Sequence, residues 1–161
     1  LLTAPLLLPT IVLGLAILLV FARLNLLATY TGLILGHLII ALPYVVRNVS
    51  TAFANIPHDF AEAASTLGAT PRQVFWRIMI PLVAPAVFAS ASLVFLVSFD
   101  EVVMSLFLVG PRLTTLPVEI FKYVDYRADP QIAALSAVLV TFSIVIVLVV
   151  ERTVGVMRAL R

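Results

Sequence analysis

Four stretches of the chain are nearly unbroken runs of apolar residues, at about 1–24, 30–53, 78–109 and 132–150. Each meets or comes within a residue of the roughly 20 residues that an α-helix needs to cross a hydrocarbon core about 30 Å thick. The pattern predicts four membrane-spanning helices and an all-α, polytopic helical bundle. Pro5 and Pro9 fall in the first run and Pro43 in the second. In a membrane helix such prolines mark kinks or local unwinding where neighbours satisfy the freed carbonyls, and they also occur in ordinary spans. The chain opens at Leu1 inside an apolar run, without an initiator Met, a basic leader or a small-residue cleavage site. It reads as a fragment rather than as a signal peptide.

Between the second and third runs lies a polar segment, about 57–77, with dense helix punctuation. Pro57 suits a first helical position, Asp59 and Glu62 place negative charge where the helix dipole favours it, and Gly68 supplies a left-handed stop. Thr70 then caps a second helix with Pro71 at its first position, running through Val74, Phe75 and Ile78 into the third span. Phe60, Ala64 and Leu67, at i, i+4 and i+7, form a narrow apolar stripe beside Ala61 and Ala63. The stripe suits either a helix lying on lipid headgroups or a groove on a partner. A DNA-binding helix-turn-helix shares this outline, but spans on both sides and only Arg72 and Arg77 on the second helix exclude it.

Composition agrees with the membrane reading. Hydrophobic residues make up 63% of the chain and charged residues 11%, with a mean hydropathy of +1.19, outside the range of soluble domains. The net charge of +2 therefore says little about nucleic acid, and with no cysteine there is no thiol chemistry or disulfide framework. Basic residues set the orientation. With the 57–77 segment inside the cell, Arg47, Arg72, Arg77, Arg152, Arg158 and Arg161 are cytoplasmic. Arg23, Arg112, Lys122 and Arg127 then lie outside, interleaved with Glu119, Asp125 and Asp129.

The third run carries an unusual polar island, Ser98-Phe99-Asp100-Glu101. On an unbroken helix Asp100 lies about 28 Å beyond Pro81, toward the outer part of the membrane. A carboxylate at the bilayer centre costs about 2.5–3.5 kcal/mol on insertion scales, so such residues face a bundle interior or a water-filled cavity. Two readings stand on charge alone: Asp100 and Glu101 attract a cation, or they sit at the interface and pair with Arg112 or Lys122.

Glu62, Ala63 and Ala64, followed at fixed spacing by Gly68, Ile78 and Pro81, resemble the EAA signature of permease subunits in bacterial ABC importers that use a separate binding protein. Ile80 stands before Pro81 where the signature has Leu. The resemblance implies a type I importer permease, represented by the last four of a usual six spans, in the bacterial inner (plasma) membrane. It implies that 57–77 holds a coupling helix seated in a cleft of a separate ATPase. Glu62, Ala63, Ala64 and Gly68 would make the contact, with Ile78 and Pro81 completing the signature. The stretch SFDEVVMSLFLVGP, with TTLPVEI and PQIAALSAVL, is similar to the spermidine/putrescine type of these permeases. That implies a polyamine path with Ser98, Asp100 and Glu101 along it, and Phe99 and Phe107 as candidate cation–π partners.

The implied partners are ABC ATPase subunits carrying ATP and Mg, a second permease subunit, an extracytoplasmic binding protein and the lipid membrane, with no nucleic acid. The chain itself carries no cofactor, metal site or catalytic residue: it has no HExxH, GxSxG or GxxxxGK motif, and His37 and His58 are too far apart to suggest a metal pair. Gly32 and Gly36 form a GxxxG compatible with close helix packing, a spacing that also arises by chance. Rival expectations are an importer permease for another solute such as ferric ion, or a membrane scaffold or channel without ATP coupling.

Overall fold

The structure, a computed structural model, describes residues 8–126 and 130–159. Its elements in order are α1 (Thr10–Arg23), α2 (Tyr30–Ala54), α3 (His58–Thr66), α4 (Pro71–Val74), a π-helical turn (Phe75–Met79), α5 (Ile80–Phe99), α6 (Ser105–Leu108), α7 (Leu116–Tyr126) and α8 (Pro130–Ala159). Among the described residues there is no strand, only an isolated bridge between Gly110 and Leu113. The fold is the expected all-α membrane bundle. Three helices are long and apolar enough to cross a bilayer: Tyr30–Ala54, Pro71–Phe99 and Ala133–Arg152.

Two of the expected runs differ in detail. In the first, the described helix has 14 residues, short of the roughly 20 that span a membrane; residues 1–7, including Pro5, lie outside the described residues. Pro9 stands at the N-cap of α1 and kinks nothing. The third run is not one helix over 78–109. The helix begins earlier, at Pro71, and ends at Phe99, after which the chain turns and starts again as α6. The 29 residues from Pro71 to Phe99 make a rod about 43 Å long at about 1.5 Å per residue. That exceeds a hydrocarbon core of about 30 Å, so the rod tilts or projects from it.

The π turn has a local cause. Pro81 has no N–H to offer the Arg77 carbonyl, and its ring would collide with that carbonyl in a regular α-helix. Widening the preceding turn relieves the conflict, and the Ile80 N–H bonds to Phe75 O, five residues back.

α5 packs chiefly against α2 and α8. Asn48 of α2 donates to the buried hydroxyl of Ser90 in α5 at 3.4 Å. The buried apolar cluster lies at the other end of α2, where α6 is wedged against α1 and α2: Ile17, Phe21, Ile40, Met104 and Leu108. Gly36 makes the wedge possible, because a Cβ there would lie 2.9 Å from Met104 Sδ and collide with Leu108. The GxxxG of α2 thus receives α6 at Gly36 and the Leu26 carbonyl at Gly32, a close packing within the chain.

Candidate functional site

Two regions carry the polar chemistry, at opposite ends of the Pro71–Phe99 rod. At its start, α3 is a nine-residue helix with Pro57 as N-cap, one position earlier than the sequence suggested, and Asp59 in its first turn. Its end is closed by two backbone bonds, Gly68 N–H to Ser65 O at 3.0 Å and Ala69 N–H to Ala64 O at 3.0 Å. This is the Schellman arrangement, and it puts Gly68 at φ +82°. Two residues on, Thr70 and Gln73 form a reciprocal capping box: the Thr70 hydroxyl accepts the Gln73 N–H at 3.4 Å and the Gln73 carbonyl oxygen accepts the Thr70 N–H at 2.8 Å. A stop and a start only two residues apart leave a sharp, hydrogen-bonded elbow between α3 and the rod.

The expected stripe divides across this elbow. Ala64 is buried, as is Val74 of the adjoining α4, whereas Phe60 is exposed and Leu67 is 88% exposed. Trp76 adds a further exposed ring next to Phe75, which stacks on Phe53 at the end of α2 with centroids 6.3 Å apart. Glu62, Ala63 and Gly68 are exposed on α3 and its cap. Ile78 lies in the π turn and Pro81 just past it, so those two belong to the rod rather than to the α3 surface.

At the far end, Asp100 caps α5 with its N–H on Leu96 O. Glu101 turns its carboxylate onto the Met104 N–H at 2.8 Å, bracketing the start of α6. Consecutive helical positions point about 100° apart; because the helix ends here, Asp100 and Glu101 both line one groove, of about 910 Å³, between the end of α5, α7 and α8. Phe99, Phe121, Ser136 and Ser143 share its wall. Neither carboxylate forms an ion pair with Arg112 or Lys122 among the described residues. Ser98 faces away from this groove: its hydroxyl meets His37 Nδ1 at 2.8 Å. Phe107 also stands elsewhere, packed at Gly14 of α1. His37, Ser105, Ser136 and Ser143 are missing from the sequence-based set; the signal for His37 was a lone polar side chain in the apolar stretch 33–42.

Three helices long and apolar enough to cross a bilayer, with a polar elbow at one end of the Pro71–Phe99 rod and an acidic groove at the other, define an integral membrane helical bundle. The family described as "Binding-protein-dependent transport system inner membrane component" matches residues 1–157, and the chain belongs to it. The chain is 34% identical over 140 residues to the spermidine/putrescine transport system permease protein PotC of Escherichia coli K12, covering 87% of this chain and 53% of that protein. It is 34% identical over 143 residues to the putrescine transport system permease protein PotI of the same strain, covering 85% and 51%. It is also 35% identical over 160 residues to the molybdenum transport system permease protein ModB of Mycobacterium bovis, covering 89% and 60%. The chain spans about half the length of the polyamine relatives it matches.

Proposed function

We propose that the chain forms part of the transmembrane path of an ABC importer for polyamines and couples that path to a separate ATPase through α3. The observation that carries the substrate reading is the groove on which Asp100 and Glu101 both open, unpaired by any cation of the described residues. A unit cation at about 4 Å from a carboxylate gains about 1 kcal/mol in water and about 4 kcal/mol at an effective dielectric of 20. Several ammonium groups on one flexible chain multiply that gain, and Phe99 and Phe121 line the same groove. The expected neighbours of the subunit are a second permease subunit, ATPase subunits holding ATP and Mg, and an extracytoplasmic binding protein.

Coupling is supported by the elbow. Glu62, Ala63 and Gly68 present the exposed side of a short helix, with Ala64 buried behind them. The N–H groups of Leu67, Gly68, Ala69 and Thr70 are all hydrogen-bonded, so force on α3 is transmitted along Pro71–Phe99 instead of being absorbed by a loose loop. The orientation with α3 in the cytoplasm follows from the arginines near it. An anion permease is the second reading, supported by the likeness to ModB. The same two carboxylates would repel an oxyanion, which favours the cation. A ferric ion would seek more ligands than two carboxylates, and among the described residues no group of three His, Cys, Asp or Glu stands together. ATP-driven uptake of labelled spermidine by the full transporter, competed with unlabelled putrescine, ferric ion and molybdate, tests the assignment. Competition by putrescine alone is expected; competition by molybdate alone would transfer the assignment to the anion class.

A further inference from the structure

We propose that His37 is the positioning residue of the transport groove, clamping both sides of the helix break to α2 so that Asp100 and Glu101 keep their place. This rests on the transport reading of the groove. His37 sits in α2, eighth of its 25 residues, among Leu35, Gly36, Leu38 and Ile39. Its two ring nitrogens reach hydroxyls on opposite sides of the break: Nδ1 meets Ser98 Oγ in the last turn of α5 at 2.8 Å, and Nε2 meets Ser105 Oγ at the first residue of α6 at 3.2 Å. A neutral imidazole donates from one nitrogen and accepts at the other, and a hydroxyl does either, so both bonds form in either tautomer.

Ser105 is fully buried, and its neighbour Met104 receives the Glu101 carboxylate on its N–H. The clamp therefore encloses Asp100 and Glu101 between its two anchor points. A polar side chain in an apolar span carries a desolvation cost that leucine would not, and hydrogen bonds to two separate elements offset it. Gly36, one residue before His37, brings α6 close enough for the second bond.

In the full transporter with labelled spermidine, His37→Leu should raise KM about tenfold or more, the loss expected when the buried Ser105 hydroxyl and the half-buried Ser98 hydroxyl lose their partner. His37→Asn keeps a polar atom near Ser98 without reach to Ser105 and should fall between the two. A second measurement needs no substrate. Met104→Cys places a buried thiol in an otherwise cysteine-free chain, and His37→Leu should speed its reaction with a small methanethiosulfonate about tenfold. Where His37→Leu does not reach the membrane, His37→Asn serves both measurements. If KM and thiol reactivity stay at wild-type values in the variants that do, the clamp is overturned. Absence of spermidine uptake by the wild type would overturn the polyamine assignment instead, while the thiol measurement still judges the clamp.

Discussion

The two ends of the Pro71–Phe99 rod are fastened in opposite ways. At the α3 end the bonds that close the elbow are local: Gly68 to Ser65, Ala69 to Ala64, Thr70 to Gln73. At the groove end the fastening comes from far along the chain, His37 to Ser98 across 61 positions and to Ser105 across 68. A locally closed elbow keeps its shape while it moves against a partner. A junction bolted to another helix holds its geometry only as long as the bundle does. The division suits a lever with a self-contained handle and a working end set by the membrane bundle.

Substitutions can break the contrast in order of size. Gly36→Leu forces a side chain into Met104 and Leu108; overpacking of this kind costs about 1–3 kcal/mol and at this wedge should reach the top of that range. A thermal melt of the purified protein should fall by several degrees, with the groove end failing as part of the bundle. Gly68→Ala meets no neighbour, since nothing lies within 4 Å of the added Cβ, but must hold φ +82°, at about 1–2 kcal/mol. Its cost should appear as faster hydrogen exchange in α3 alone, with the melt unchanged. Thr70→Ala removes half the capping box at about 1 kcal/mol, and exchange should rise only at the amides of Arg72, Gln73 and Val74. A global drop in the melt for either elbow variant would erase the distinction.

Much of the elbow was legible in the sequence because its signals act over three or four residues: Gly68 as a stop, then Thr70 and Pro71 as a start. The π turn was missed even though Pro81 was noted, since the consequence of proline falls on the preceding turn. The break after Phe99 was hidden because the run 78–109 is apolar on both sides of the polar island, and 102–109 suits a continued span as well as a buried wedge. The segment after the break packs into the room at Gly36 and is tied by the bonds of His37, both about sixty residues upstream. The acidic pair was found by its cost in an apolar run, while Ser136 and Ser143 gave no such signal, because single serines are tolerated in spans.

The coupling role of α3 is tested most directly by ATP-driven spermidine uptake in the full transporter carrying Glu62→Lys. Glu62 is exposed on α3 and has no hydrogen bond to lose among the described residues, so the subunit should assemble in the membrane at wild-type levels. Charge reversal at the docking surface should abolish most uptake, a loss of about tenfold or more for an interfacial charge facing its complement. Uptake at the wild-type rate would contradict the coupling role and leave α3 a helix resting on the headgroups.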